Sequence, residues 1–302
     1  MLYEYMSELG YTKADAKLIL TDYSLKTYRE ETLYQSIKDK IIFLENNGYT
    51  REEIIKITKN YPAIYSFSVE NMQQKIKDLI ALGYEKDKVF KILKIHPQIY
   101  GLTIENIKQK IKDLMELEHS KESVIKMTVN FPQLYGLTIE SIKQKIEDLK
   151  ELGYTKDSIN QMAVILPQIY SYDIDSMSQK FNNLMELGYT KEESLKITKI
   201  HPKLYSSSIN NTSQKINYLI EVGLSAVAII EPKQLMQSVD LSYARYEFYK
   251  QEKNLVITME NYWKLFMNQK DFEKEYGLTK KELLEKYNYN KYMEEQKHGH
   301  TL

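Results

Sequence analysis

The chain contains only six prolines, and their spacing constrains the fold more than any other feature of the sequence. They are Pro62, Pro97, Pro132, Pro167, Pro202 and Pro232, so the first four intervals are 35 residues each and the last is 30. Glycines keep the same period at Gly48, Gly83, Gly153, Gly188 and Gly223, with Glu118 in the remaining position. A fixed period of this length is typical of a solenoid, in which each repeat buries its apolar face only against its neighbours.

Each repeat has the sequence signals of two helices. Thr50 and Glu53 form a capping box at the start of the first helix, and Pro62 ends that helix because proline lacks an N–H. Ser68 then caps a second helix with an apolar stripe, and Gly83 supplies its left-handed C-cap. No segment alternates with a period of two. The sequence therefore predicts an all-α fold, a right- or left-handed superhelical solenoid of ~35-residue two-helix repeats with atypical terminal caps.

Irregular spacing at both ends predicts three segments. Residues 1–47 form an N-terminal capping repeat, because the interval from Gly10 to Gly48 exceeds the regular period and Ser24 stands where a proline is expected. Residues 48–223 hold five regular repeats. Residues 224–302 hold a degenerate repeat, shortened at Pro232, and a C-terminal helical cap. Terminal repeats depart from the consensus because one of their faces meets water.

Composition and motifs argue against several classes of function. The 302 residues carry 42 Lys+Arg against 42 Asp+Glu and no cysteine, so disulfides and thiolate chemistry are excluded. We find no glycine-rich phosphate loop, nucleophile elbow or paired-carboxylate motif, and we predict neither an enzyme nor a bound cofactor or metal. No apolar run is long enough to span a membrane. The acidic start resembles neither a signal peptide nor an organellar presequence, so we expect a cytoplasmic protein, or an organellar one if the chain is a processed form.

The repeat itself resembles a known family. Its pattern, G-Y-T-K-E-E-x-x-K-I-x-K-x-x-P-x-L-Y followed by S/T-I-x-x-x-x-Q-K-I-x-x-L-x-x-L-G, is similar to the repeat of the mitochondrial transcription termination factor (mTERF) family over about residues 9–253. The resemblance implies a superhelical solenoid of helix pairs with a short 3₁₀ turn. It also implies binding of double-stranded nucleic acid along a basic groove, as many members do in organelle transcription, replication or RNA maturation.

Lysines recur once per repeat in the second helix and form the candidate nucleic-acid-binding site. Helix pairs pack about 8–10 Å apart, so five stacked lysines would extend over about 40 Å, close to one turn of a duplex. Alternatively, the same lysines border the apolar stripe without binding phosphate, and their methylene chains cover the core while their ammonium groups stay in water. The predicted site consists of Lys75, Lys110, Lys145, Lys180 and Lys215, flanked by Lys108, Lys112 and Lys143.

Arginine and tyrosine refine that prediction. Only three of the 42 basic residues are arginines, and arginine is the better fork for guanine edges, so contacts to the backbone are favoured over base-specific readout. A tyrosine lies in each of the first five proline turns and could offer a stacking platform for bases, but such a position more often packs between repeats. These tyrosines are Tyr65, Tyr100, Tyr135, Tyr170 and Tyr205.

The predicted function is therefore non-enzymatic binding of nucleic acid by a helical-repeat protein. Duplex DNA is the favoured partner, with RNA as the other nucleic-acid target, and a role in transcription or its regulation is expected. We expect a monomer. The alternative is a protein–protein interaction scaffold built on the same solenoid. Pentatricopeptide-type RNA recognition fits less well, because its units lack a proline in the middle.

Overall fold

The computed structural model describes the backbone of residues 2–299 and the side chains of residues 2–296. No residue in that range lies in a β-strand. The α-helices are α1 (Leu2–Glu8), α2 (Lys13–Leu20), α3 (Glu30–Asn46), α4 (Arg51–Asn60), α5 (Val69–Ala81), α6 (Lys86–Ile95), α7 (Ile104–Glu116), α8 (Lys121–Asn130), α9 (Ile139–Leu152), α10 (Lys156–Ile165), α11 (Ile174–Glu186), α12 (Lys191–Ile200), α13 (Ile209–Glu221), α14 (Val227–Ile230), α15 (Val239–Glu252), α16 (Gln269–Tyr276), α17 (Lys280–Lys286) and α18 (Tyr289–Gly299). The 3₁₀ helices are η1 (Tyr23–Leu25), η2 (Pro62–Ser66), η3 (Pro97–Gly101), η4 (Pro132–Gly136), η5 (Pro167–Ser171), η6 (Pro202–Ser206), η7 (Pro232–Met236) and η8 (Tyr262–Phe266).

A regular repeat consists of a first helix, a 3₁₀ helix that begins at the proline, and a second helix. In the repeat of α4, η2 and α5, the Thr50 side chain accepts from the Glu53 N–H and the Glu53 carboxylate accepts from the Thr50 N–H. Pro62 opens η2, where its missing N–H costs nothing, and the Ser68 hydroxyl caps α5. The all-α helical-repeat class predicted from the sequence is confirmed, as is the short 3₁₀ turn that the family resemblance implied.

The turn between repeats requires a left-handed residue at its glycine position. Gly83 has a φ of +104° after the end of α5. Glu118 occupies the same position after α7 and has a φ of 71°, which a residue with a Cβ adopts at a cost of about 1 kcal/mol. This repeat therefore keeps the turn geometry without the residue that favours it.

The helices group into two compact units, one reaching to Ser141 and the other beginning at Ile142. In the first unit, α4 packs on α6 and α6 on α8, while α3 packs on α5. In the second unit, α10 packs on α12 and α12 on α14, while α11 packs on α13 and α13 on α15. Within each unit the first helices thus form one layer and the second helices another. The three-segment division of the sequence stays a prediction.

The repeated tyrosines lie in the core. All five are buried, so their rings offer no platform to bases, and the packing interpretation is confirmed. Every second repeat adds a buried cluster of three hydroxyls from two tyrosines and a threonine. In the first cluster the Tyr11 hydroxyl lies 2.8 Å from that of Thr58 and 2.9 Å from that of Tyr65. The other two clusters, separated from each other by two repeats, are Tyr84–Thr128–Tyr135 and Tyr154–Thr198–Tyr205.

The C-terminal part closes the second unit. Residues 254–261 are not helical where a first helix would be expected, and they are followed by η8 and α16. Phe248, Phe272 and Leu283 form its core together with neighbouring aromatic rings. No helix among residues 2–299 has both the length and the apolarity that a membrane span requires.

Candidate nucleic-acid interface

Four of the five predicted lysines of the second helices reach across to the following repeat. Each occupies the same position relative to the N-cap of its helix. The ammonium group of Lys75 donates to the carbonyl oxygen of Leu102, and that of Lys110 donates to the carbonyl oxygen of Leu137. Both acceptors lie immediately before the N-cap of the next second helix. Lys180 donates over 2.5 Å to the carbonyl oxygen of Tyr205, two residues further back in the equivalent turn.

The remaining two predicted lysines vary this arrangement. The Lys145 ammonium lies 3.4 Å from a carboxylate oxygen of Asp148, one turn along its own helix. Lys215 has no exposed surface, and its ammonium donates to the Ser242 hydroxyl and, over 3.5 Å, to the Ser238 carbonyl oxygen. It also lies 5.1 Å from the centre of the Phe266 ring. A group without exposed surface cannot contact a phosphate in this conformation.

Two further cations that the sequence reading missed occupy the same position. Arg245 follows Pro232 at the same distance in sequence at which Lys215 follows Pro202, and this common offset was the available signal. The Arg245 guanidinium donates over 2.6 Å to the carbonyl oxygen of Met267. In the N-terminal repeat, which has no proline to set the register, Lys40 donates over 2.8 Å to the Ser36 hydroxyl.

We call these seven cations the clasp row, because most of them bond to main-chain or side-chain oxygens around the turn of the following repeat. The row consists of Lys40, Lys75, Lys110, Lys145, Lys180, Lys215 and Arg245. Burial lowers the pKa of the lysines at 40, 75, 110 and 180 below the usual range, and lowers that of Lys215 to about 7. That the predicted members other than Lys215 contact phosphate stays a prediction.

Acidic side chains lie beside some members of the row rather than facing away from them. Burial lowers the pKa of Lys75. The negative charges of Asp78 on its own helix and of Glu105 on the next second helix oppose this effect but are weaker than it. Lys110 has the corresponding neighbours in Asp113 and Glu140. The charges of Lys75 and Lys110 are therefore partly offset, which weakens their attraction for a polyanion.

The three flanking lysines of the prediction are exposed. Lys108 and Lys112 lie on α7, and Lys143 lies on α9 in the other unit. The Lys112 ammonium is 3.8 Å from Glu116, with both side chains largely in water. An ion pair of that kind is worth little, so the Lys112 charge remains available to a ligand.

Two adjoining depressions in the first unit gather exposed lysines. One lies between the end of α5 and α7, has Leu82, Ile111 and Met115 in its lining, and shares Lys121 with the other. The other lies between α6 and α8. Their lining contains six lysines against three glutamates, in a chain whose total charge is zero. We call the six the lysine patch: Lys88, Lys91, Lys108, Lys112, Lys121 and Lys126.

Lys121 belongs to a second repeated position that the sequence reading missed. A basic residue opens the first helix of six successive repeats, although the positive end of the helix dipole disfavours a cation there. The Lys121 ammonium lies 3.9 Å from the place that a Cβ on Gly83 would take, beside the carbonyl end of α5, where the dipole favours it. The sequence contains a signal for this repeated position, because a basic residue stands three places after each repeat glycine from Gly10 to Gly188, and after Glu118 where glycine is replaced. These residues are Lys13, Arg51, Lys86, Lys121, Lys156 and Lys191.

Comparison with known proteins decides the family. The sequence model of the mTERF family matches residues 2–151 and residues 141–259. The chain belongs to the mTERF family. A search of curated proteins returned no match. The mTERF family consists of helical-repeat proteins that generally bind nucleic acid and are not enzymes, and membership supports that class of function here. Among residues 2–296, no three His, Asp or Glu side chains gather as a metal site.

Proposed function

We propose that this mTERF protein binds duplex nucleic acid, DNA in preference to RNA, through its lysine patch. The observation that carries the proposal is the excess of exposed lysine over acid in the two depressions of the first unit. Lysine ammonium groups neutralise phosphates and release counterions, which supplies most of the affinity in binding without sequence specificity. The clasp row adds less, because its cationic groups already bond within the protein, and Lys75 and Lys110 also have acidic neighbours.

Recognition of the backbone rather than of base edges follows from the arginines. Arg51 pairs with Glu45, Arg245 is buried, and Arg29 lies at the start of α3, so none of the three lines the patch. The patch therefore lacks the rigid planar fork of arginine, and its lysines act mainly as point charges on phosphates. A role in transcription would then rest on nucleic-acid shape and on occupancy rather than on a short base sequence.

The proposal is tested by fluorescence anisotropy with labelled duplex DNA, duplex RNA and the single strands, each over a range of salt concentrations. If the six patch lysines each neutralise one phosphate, the slope of log K against log salt should be about −5 for duplex DNA. Changing all six to glutamine should weaken binding and bring the slope close to zero.

A matched control removes the same charge elsewhere. Six exposed lysines of the second unit are changed to glutamine: Lys250, Lys270, Lys274, Lys280, Lys281 and Lys291. This variant should keep the affinity and the slope. Equal losses in both variants would mean that net charge alone governs binding, and unchanged binding by the patch variant would remove the patch from the interface. Tighter binding of duplex RNA than of duplex DNA would reverse the preferred partner.

A further inference from the structure

Three first helices of the second unit end in an exposed isoleucine at the same repeat position. Ile165, Ile200 and Ile230, at the ends of α10, α12 and α14, are 45%, 46% and 55% exposed. In the first unit the same position holds Asn60, the exposed Ile95 and Asn130, so no two isoleucines adjoin there. We call the three residues of the second unit the isoleucine row. Three large apolar side chains kept in water at one repeat position indicate an interaction surface, whereas scattered exposed ones do not.

The spacing of the row fits one kind of ligand. Since α10 packs on α12 and α12 on α14, successive row members are one helix spacing apart, about 8–10 Å. An α-helix rises about 1.5 Å per residue, so residues seven apart lie on one face about 10.5 Å from each other. A helix lying across α10, α12 and α14 would therefore meet the row with apolar residues at positions i, i+7 and i+14.

The charged side chains beside the isoleucine row indicate which residues should flank the apolar stripe of the ligand helix. Lys196 lies one turn before Ile200 on α12, and Lys203 and Lys233 each follow a row isoleucine at the start of the next 3₁₀ helix. All three lysines are exposed. Glu231 lies 3.8 Å from the Lys233 ammonium and offsets only that charge. The rim is thus basic, and acidic residues on either side of the apolar stripe would complement it.

We propose that the isoleucine row is the docking surface for an acidic amphipathic helix of a partner protein. The ligand helix places its apolar residues at a seven-residue spacing on the three isoleucines, and its glutamates or aspartates meet the lysines of the rim. The row and the lysine patch belong to different units. This interaction is therefore independent of the proposed binding of nucleic acid.

The test uses the full chain and a designed probe. The probe is a labelled 21-residue peptide of alanine and glutamate with leucines at positions 4, 11 and 18, read by fluorescence anisotropy. A control peptide of identical composition has its leucines at positions 4, 9 and 14, which do not share a helix face. We expect the probe to bind at least about tenfold more tightly than the control peptide.

Two protein variants complete the test. Changing Ile165, Ile200 and Ile230 to glutamine should weaken probe binding about tenfold or more. The matched variant changes the exposed isoleucines Ile42, Ile80 and Ile95 of the first unit to glutamine and should bind the probe as the unchanged chain does. Circular dichroism verifies that both variants are folded.

Three results would overturn the proposal. The first is equal affinity for the two peptides, and the second is undiminished probe binding by the Ile165, Ile200 and Ile230 variant. The third is self-association of the unchanged chain, measured by sedimentation, that this variant abolishes, because a second copy of the chain would then occupy the row. Nucleic-acid binding is measured separately and would stand or fall by itself in each case.

Discussion

Replacing Lys215 with methionine should stabilise the protein, most strongly at acidic pH. The lysine has no exposed surface, and the residues around its ammonium group include no carboxylate that bonds to it. Burial is the main cause that lowers its pKa to about 7, and the nearby Arg245 charge lowers it further, against a smaller opposing effect of Asp240. Methionine keeps an unbranched apolar stem of similar length in the same space and removes the charge.

The magnitude follows from the two pKa values of Lys215, about 7 in the folded chain and 10.5 as the reference for the unfolded chain. Below pH 7 the lysine is protonated in both states, and keeping the charge buried costs up to about 5 kcal/mol. Between pH 7 and 10.5 the unfolded chain binds more protons than the folded chain, so the stability of the unchanged protein rises with pH. Methionine loses a hydrogen bond to Ser242 worth about 1 kcal/mol.

The gain in unfolding free energy from Lys215→Met should therefore be about 4 kcal/mol at pH 6 and close to zero near pH 9.5. Urea unfolding followed by far-ultraviolet circular dichroism at pH 6, 7.5 and 9.5 measures it. Lys180→Met is the control, because Lys180 is only half-buried and bonds to a carbonyl oxygen, and its effect on stability at pH 6 should be much smaller than that of Lys215→Met. A Lys215→Met protein that is less stable at pH 6, or a gain that does not change with pH, would refute the reasoning.

Three further substitutions probe the repeat architecture. Tyr84→Phe removes a hydroxyl that bonds two buried hydroxyls and should lower the free energy of unfolding by about 1–3 kcal/mol in urea titrations, while the same change at the exposed Tyr23 should have no effect. Glu118→Gly should raise the thermal midpoint by relieving about 1 kcal/mol of left-handed strain. Arg245→Met leaves carbonyl oxygens of η8 and the following residue without their buried donor, so limited proteolysis after residue 252 should accelerate, whereas Arg29→Met should leave cleavage unchanged.

Most of the repeat fold could be predicted because its signals are local. The capping box at Thr50, the proline that opens each 3₁₀ helix and the cap at Ser68 each act within a few residues of sequence. The period then fixed which residues are equivalent. The sequence did not predict that a hydroxyl cluster forms only in every second repeat. A cluster forms where the first helix carries a threonine that faces a tyrosine of another repeat, and not where an apolar residue takes the place of the threonine.

The candidate site was harder to predict, for a physical reason that Lys108 and Lys110 illustrate. Both are lysines of α7, two residues apart, and the sequence of α7 does not show which oxygen either ammonium group reaches. Two residues turn a helix by about 200°, so one ammonium points into water while the other meets the Leu137 carbonyl oxygen. Whether a lysine ammonium group contacts the next repeat depends on the distance to that repeat. This distance is set by helix packing and not by the sequence of the lysine's own helix.

The central claim is that lysines of the clasp row join repeats whereas lysines of the patch bind nucleic acid. The salt dependence of duplex DNA binding by Lys108→Met and Lys110→Met tests it most directly, because both changes remove one charge from α7. Lys108→Met should make the slope of log K against log salt shallower by about 0.9, and Lys110→Met should leave the slope unchanged while lowering stability. A shallower slope for Lys110→Met with no change for Lys108→Met would contradict the account.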